Sequence, residues 1–248
     1  MRINDNVADD EWEWYIGQIF SRLIENVCQF KIKNVVEIAP GFRYKIAYAL
    51  KNINFKGTLY VIDTNKEVLE YVAEKYKAII PNSKIVCINN NFEHSFADVP
   101  NEIDLLLSNH CIDDMIIAEY MQNYYNNNLK NENFKDMLKD AWIKLGKDTE
   151  KVDEIVNMVY LSFKEFLSNK KISNIIISQY KSNLYFKDEF KEMDEITEKC
   201  FNKVKSLIKM DEEKINKILD FYPFGKDERY RGKYLLDNTQ NAKNWIVK

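Results

Sequence analysis

The sequence predicts an α/β fold in which helices cover a doubly wound, mostly parallel sheet. Short apolar runs rich in β-branched residues alternate with longer segments whose apolar residues recur every three or four positions. The first two of these runs carry an acid near their carboxyl end and lead into helix-compatible segments. Such alternation favours parallel pairing, because two parallel neighbours need a crossover connection between them.

An amphipathic helix is predicted near the N-terminus. Apolar side chains recur at helical spacing from Trp12 to Val27, and Asp9 or Asp10 is placed to cap the helix. We expect this helix to pack on the sheet as an outer layer.

The first strand and its exit turn are the stretch around which the rest of the chain is organised. The apolar run from Val35 to Ile38 contains Glu37, turns through Pro40 and Gly41, and enters a helical segment. Glycine permits a tight turn and would let the backbone approach a ligand. An acid in a buried strand is costly unless it finds donors, so Glu37 is expected to contact a ligand or the amides of the loop.

A second strand and helix follow. The run from Leu59 to Ile62 ends at Asp63, which lies 22 residues after Gly41. In a nucleotide-binding α/β fold this is where ribose hydroxyls are held; the alternative is that Asp63 caps the next helix. Thr64 and Glu67 have the spacing of a capping box, which predicts that the helix begins there.

Polar residues also follow the third and fourth predicted strands. Lys84 to Ile88 precedes Asn91 and Phe92, and Ile103 to Leu107 leads into a loop with Asn109 and His110. The carboxyl ends of parallel strands meet at one edge of a sheet, where ligands of such folds bind.

Residues 115–170 exceed what a single crossover helix needs. They contain three helical patterns, at Met115 to about Asn131, Phe134 to Leu145 and Val152 to Leu167. We interpret them as a helical insertion that forms a substrate wall or lid; the alternative is that they form an oligomer contact or have no function of their own. A homodimer is a possible assembly of the chain. A fifth strand is predicted at Ile175 to Tyr180, and two more helices follow it.

Composition narrows the function classes. With 248 residues, 46% hydrophobic and 30% charged, the chain is long enough for one large α/β domain. A net charge of -3 argues against an extensive nucleic-acid surface. The four cysteines are widely spaced, which excludes a zinc knuckle, predicts no metal site and favours a reducing cytoplasm. The acidic N-terminus and the lack of a long apolar run predict neither a signal peptide nor membrane insertion.

The sequence resembles the class I S-adenosylmethionine-dependent methyltransferases over about residues 11 to 114. Their first motif is an acid followed by three spaced glycines, and here the acid and the middle glycine are matched by Glu37 and Gly41. Asp63 ends the second strand as in that family, and Asn91-Phe92 follows the third. The fourth strand leads into Ser108-Asn109-His110 and then Asp113-Asp114, a loop common in family members.

The resemblance implies a Rossmann-like, seven-stranded sheet that ends in an antiparallel edge hairpin. Lys233 to Leu236 and Trp245 to Val247 are the two runs that suit this hairpin. The organisation we expect is a covering helix (1–30), the cofactor-binding half of the domain (31–114), the insertion (115–170) and the C-terminal half (171–248).

The resemblance also implies which residues bind S-adenosylmethionine. Glu37 would lie near the methionine portion, Asp63 would hold the ribose hydroxyls, and Asn91 and Phe92 would contact the adenine. We expect Arg43 to point to solvent, with a contact to the methionine carboxylate as the alternative. The predicted cofactor-binding residues are Glu37, Ala39, Gly41, Asp63, Thr64, Asn91, Phe92 and Asn109.

Acceptor-side residues are predicted at the fourth strand's exit and on the covering helix. His110 and Asp113 are the candidate catalytic residues, since either could hold or deprotonate an acceptor. Trp12, Tyr15 and Asp114 are the candidate substrate-binding residues.

The resemblance predicts a methyltransferase that acts on a small molecule. One alternative is an aminocarboxypropyl transferase of the nicotianamine-synthase type, which uses the same cofactor; another is an inactive, methyltransferase-like binding subunit. A nicotinamide dehydrogenase fits less well, because Ala39 and Arg43 break the glycine pattern that its pyrophosphate requires.

Overall fold

The structure is a computed structural model that describes residues 9–125, 134–180, 191–221 and 239–248. In these ranges one sheet has six strands in the order β3-β2-β1-β4-β5-β6. The strands are β1 (Asn34–Ile38), β2 (Thr58–Asp63), β3 (Lys84–Asn89), β4 (Glu102–Asn109), β5 (Lys171–Ser178) and β6 (Trp245–Val247). All pairs are parallel except β5 with β6, which is antiparallel and pairs Ile177 with Ile246.

Eight α-helices connect and cover these strands in the described ranges. They are α1 (Asp9–Val27), α2 (Lys45–Asn52), α3 (Lys66–Ile79), α4 (Ile112–Asn123), α5 (Phe134–Gly146), α6 (Thr149–Asn169), α7 (Lys191–Lys205) and α8 (Glu212–Leu219). No helix in the described part of the chain combines the length and the apolarity that a bilayer crossing requires.

The sheet separates two hydrophobic cores. Strand residues alternate between them, so Val35 faces one core and Val36 the other. The first core contains side chains of α1, α2, α3 and α8, and the second contains those of α4, α5, α6 and α7. The helices from residues 115–170 therefore pack together on one face of the sheet, and α1 packs on the opposite face.

The α/β prediction, the parallel pairing and the antiparallel edge strand are confirmed. The described ranges contain six strands where seven were predicted for the whole chain; the predicted hairpin arm at 233–236 lies outside these ranges. The predicted second arm is β6, which adds to the edge at β5.

One predicted helix start was wrong. Asn65, not Thr64, caps α3: its side chain accepts a hydrogen bond from the Glu67 amide, because the helix begins one residue later than the capping-box spacing indicated. Helix α1 is described from Asp9 onward, and a cap at Asp9 or Asp10 stays a prediction, because the residues before Asp9 lie outside the described ranges.

Candidate functional site

A cavity lies at the carboxyl ends of β1, β2 and β3, against α4. We call it the main cavity; its volume is about 540 Å³, within the range of small-molecule sites. Helix α5 of the insertion contributes Leu138 to its wall. Six of the predicted cofactor-binding residues line it: Ala39, Gly41, Asp63, Thr64, Asn91 and Phe92.

The loop after β1 turns tightly at the cavity edge. Ala39 and Gly41 both have positive φ angles, 47° and 57°. The Ala39 amide donates to the Ile62 carbonyl at 2.8 Å, which holds the loop against β2. A Cβ atom at Gly41 would meet no other atom within 4 Å, so the glycine keeps that part of the cavity open.

Asp63 joins two loops of the site. Its carboxylate accepts a hydrogen bond from the Asn65 amide at 2.9 Å and further bonds from the amides of Gly41 and Thr64. Burial nevertheless raises the pKa of Asp63, because desolvation outweighs these three donors. Asp63 thus fixes the position of Gly41 and also faces the cavity.

The residues that follow strand β3 pack against helix α6. The Phe92 ring is buried, with its centroid 4.5 Å from that of Phe166 and 5.1 Å from that of Phe163, both on α6. The Asn91 amide donates to the Asn90 side chain at 2.9 Å, so the local turn is closed on itself. Helix α6 therefore supports a residue of the cavity wall directly.

The first turn of α4 divides the main cavity from a second one. Asp114 lines the main cavity, whereas Asp113 and His110 line the small cavity, which has a volume of about 100 Å³. Desolvation by burial raises the pKa of Asp114 to about 7, and the negative charge of Asp113 adds to this effect. Two predicted acceptor-side acids are thus placed on opposite sides of one helix turn.

His110 is held in a left-handed backbone conformation, with φ at 65°. Its Nδ1 atom lies 3.2 Å from Asp113 Oδ2, and its Nε2 atom faces the Tyr180 carbonyl. The Gln179 amide donates to Asp113 Oδ1 at 3.0 Å and accepts from the Ile112 amide at 3.0 Å. Strain at a non-glycine residue persists only where neighbours over-determine it, and these bonds do so here.

The His110–Asp113 pair is tuned in opposite directions. Burial lowers the pKa of His110, but the Asp113 charge more than reverses this, so the pKa of His110 is raised. Burial likewise favours protonated Asp113, yet His110 and Gln179 outweigh it and lower the pKa of Asp113. Both ring nitrogens of His110 face oxygens of the protein, which favours a positioning role over proton abstraction from an acceptor.

Glu37 lies outside the described lining of the main cavity. It is buried on the α1 and α3 side of the sheet, where the Tyr76 hydroxyl donates to it at 2.5 Å. Desolvation raises the pKa of Glu37 to about 8. Its contact with the methionine portion of a cofactor stays a prediction.

The remaining predicted residues are engaged within the protein. Trp12 and Tyr15 are buried core residues, and the Tyr15 hydroxyl lies 3.0 Å from Thr239. Asn109 accepts a hydrogen bond from Ser178 at 3.1 Å. Arg43, expected to point to solvent, instead pairs with Glu13 at 3.3 Å.

Sequence reasoning missed a buried charged group beneath the covering helix. Glu13 is fully buried and accepts from the Tyr44 amide at 2.9 Å, and Lys45 is buried with its ammonium 3.3 Å from the Tyr180 hydroxyl. Desolvation raises the pKa of Glu13 despite Lys45 and Arg43. Glu13 falls among the apolar positions of α1, and that was the available sign of its burial.

No protein-family model matches the chain, and no curated protein matches it. Solved structures resemble it at low identity. The plantazolicin methyltransferase BpumL in complex with SAH is 13% identical with a TM-score of 0.44, over 92% of this chain and 78% of that one. TrmN from Thermus thermophilus is 12% identical with a TM-score of 0.37, over 65% of this chain.

A spermidine synthase from Thermotoga maritima is 9% identical with a TM-score of 0.40, over 80% of this chain. The chain spans 37% of the length of TrmN and 51% of that of this synthase. These are distant structural similarities, at low identity and low TM-score.

Proposed function

We propose that the chain binds S-adenosylmethionine in the main cavity and transfers the methyl group to a small-molecule acceptor. One observation carries the proposal: Gly41, Asp63, Asn91 and Phe92, which are distant in sequence, line a single cavity. The cavity opens at the carboxyl edge of the sheet, beside the switch point between β1 and β4 where the strand order reverses. Ligands of open α/β sheets bind there.

In this proposal Asp63, Asn91, Phe92 and Gly41 each make one contact with the cofactor. A carboxylate has about four acceptor positions, and three amides already occupy Asp63, so we assign it one ribose hydroxyl. The Asn91 side chain can bond to the edge of the adenine, and Phe92 offers an apolar surface to the ring. Gly41 lets the backbone approach the methionine portion, because no side chain intervenes.

Methyl transfer requires alignment more than acid–base chemistry from this chain. S-adenosylmethionine, held by Gly41, Asp63, Asn91 and Phe92, would supply an electrophilic methyl group: an acceptor lone pair would form the new bond to carbon, sulfur would keep the electron pair of the broken bond, and a protic acceptor would release its proton to water. The sulfonium is already an activated donor, so holding the acceptor in line supplies much of the rate acceleration. In this proposal His110 and Asp113, which line the small cavity, position the acceptor from the other side of the α4 turn that carries Asp114.

Product analysis tests the proposal. The protein is incubated with methyl-labelled S-adenosylmethionine and fractions of small-molecule extracts, with Asp63→Ala as the control variant. We expect label in an acceptor together with S-adenosylhomocysteine, both lost in the variant. Formation of methylthioadenosine instead would contradict methyl transfer and support aminocarboxypropyl transfer. Binding of the cofactor without either product in any fraction would contradict enzymatic activity and support a binding subunit.

A further inference from the structure

Asp114 lies in the part of the main cavity that is nearest to β4. It is the third residue of α4, just after the loop that leaves β4, and its side chain lines the cavity. The negative charge of Asp63, after β2, raises the pKa of Asp114, so the two carboxylates lie within electrostatic reach of each other. The Gly41 amide donates to Asp63. Asp114 therefore faces the region between the ribose contact assigned to Asp63 and the methionine contact assigned to Gly41.

The Asp114 carboxylate makes no hydrogen bond and no ion pair with the described residues. By contrast, Asp63 accepts bonds from three backbone amides, and Glu93 accepts one from the Ser162 hydroxyl. Asp114 is open to the cavity, yet the protein around the cavity removes part of its hydration and raises its pKa to about 7. A cation that enters the cavity would stabilise the ionised form of this carboxylate.

The charged groups that act on Asp114 come from four parts of the fold: Asp113 on the same helix, Asp63 after β2, His110 after β4 and Lys45 on α2. The two cations among them already have partners. His110 lies 3.2 Å from Asp113 Oδ2, and the Lys45 ammonium lies 3.3 Å from the Tyr180 hydroxyl. Among the described residues, the lining of the main cavity contains four acids and no lysine, arginine or histidine. The partner that Asp114 lacks is thus a positive charge on a ligand.

We propose that Asp114 recognises the sulfonium charge of S-adenosylmethionine and so distinguishes the cofactor from S-adenosylhomocysteine, whose thioether is neutral. The inference rests on the proposed function, because it assigns a role to a residue of the same cavity. Methyl transfer removes the positive charge that Asp114 faces, so the product loses a favourable interaction that the cofactor has. Asp114 then favours exchange of the product for fresh cofactor.

The pH sets how much of this interaction is available. In the empty cavity Asp114 is mostly protonated below about pH 6 and mostly ionised above about pH 8. A sulfonium favours the ionised form, so the affinity for S-adenosylmethionine relative to S-adenosylhomocysteine should rise as the pH rises through this range. A cation that lowers the pKa of Asp114 by about one unit gains about tenfold in affinity.

Calorimetric titration of the full chain with both compounds at pH 5.5 and pH 8 tests the inference. In the wild type we expect the dissociation constant of S-adenosylhomocysteine, divided by that of S-adenosylmethionine, to rise about tenfold between these pH values. In Asp114→Asn this ratio should change much less, because asparagine keeps the shape but cannot ionise. The ligands bring the same titrating groups to both proteins, so comparison with the variant removes their contribution.

Proton release provides a second readout that needs no variant. The probes are 5′-methylthioadenosine and its S-methyl sulfonium, which differ in charge and carry no group that titrates near pH 7. At pH 7 Asp114 is about half ionised, so the sulfonium should release up to about half a proton on binding, and the thioether should release none. Titrations in buffers with different ionisation enthalpies count these protons.

Glu119→Gln is the matched control. Glu119 is an acid of the same helix and the same cavity lining, but the charges that act on it are those of Glu93 and His94. This variant should keep the pH-dependent ratio of the wild type. The inference is overturned if the wild-type ratio is constant with pH, if Asp114→Asn follows the wild type, or if Glu119→Gln loses the effect as fully as Asp114→Asn.

Asp114→Asn should fold normally, because it removes a carboxylate that makes no bond to the described residues, and its melting temperature at pH 8 should not fall. The two proposals fail in different ways. Binding of both compounds with a ratio that does not depend on pH would retain the proposed function and remove the role of Asp114. Binding of neither compound by a folded wild type would contradict both proposals.

Discussion

Replacing Glu37 by glutamine tests the most unusual electrostatic feature of the sheet. Glu37 lies in β1, and the residue is 3% exposed. One of its carboxylate oxygens accepts a hydrogen bond from the Tyr76 hydroxyl. Desolvation raises its pKa from the ordinary value of 4.5 to about 8. Glutamine keeps the shape and the acceptor oxygen but cannot ionise, so Glu37→Gln isolates the effect of the charge.

The sign and size of the effect follow from the raised pKa. Between pH 4.5 and pH 8 the folded protein holds a proton that the unfolded chain releases, so the unfolding free energy falls as the pH rises through this range. One pKa unit corresponds to about 1.36 kcal/mol, and the three units from pH 5 to pH 8 give at most about 4 kcal/mol. We expect Glu37→Gln to exceed the wild type by about 2 to 4 kcal/mol at pH 8 and to equal it near pH 5.

Urea unfolding followed by circular dichroism at pH 5, 6.5 and 8 measures this difference. Glu70→Gln is the control for removing one acid, because Glu70 is exposed on α3. Its difference from the wild type should stay within about 0.5 kcal/mol. The reasoning would be refuted if the unfolding free energies of the wild type and of Glu37→Gln differed by the same amount at all three pH values. Glu37 would then be ionised in the folded as well as in the unfolded protein.

Three other variants probe the loops and the buried charges. Gly41→Ala should lower the free energy of unfolding, measured in urea, by about 1 kcal/mol, because φ at this position is 57°. It should also bind S-adenosylmethionine more weakly. An unchanged free energy of unfolding would contradict the positive φ. Phe92→Ala should lose about 3–5 kcal/mol in calorimetric melting, because its ring packs on Phe166; a loss under about 1 kcal/mol would contradict that packing. Arg43→Leu should lose about 1–3 kcal/mol at pH 8 and less at pH 5, where Glu13 can take up a proton; an equal loss at both pH values would contradict the pairing.

The strands of the sheet were predictable because their signals are local. β-branched runs of strand length alternate with helical spacing, and the crossover requirement then leaves parallel pairing as the simplest arrangement. Cavity residues such as Asp63, Asn91 and Phe92 were predictable for the same reason, since parallel strands end at a shared edge. The start of α3 was not, because Thr64 and Asn65 are both good caps and only the backbone decides between them.

Side-chain partners from distant parts of the chain were not predictable. Glu37 contacts Tyr76 on the face of the sheet that α1 and α3 cover, and this contact depends on how α3 packs. Lys45 is buried because Tyr180, from β5's exit, accepts its hydrogen bond. Thr197 shares a helix face with Asp194 and Glu198, a spacing visible in the sequence, but its position in a cavity wall depends on where α7 sits.

Cofactor binding is the central claim, and calorimetric titration tests it most directly. The purified chain is titrated with S-adenosylmethionine and with S-adenosylhomocysteine, beside the Asp63→Ala variant. We expect micromolar binding by the wild type and loss of that binding in a variant that remains folded, because Asp63 both faces the main cavity and fixes the Gly41 loop. Absence of binding by a folded wild-type protein, or equal binding by Asp63→Ala, would contradict the assignment of the cavity.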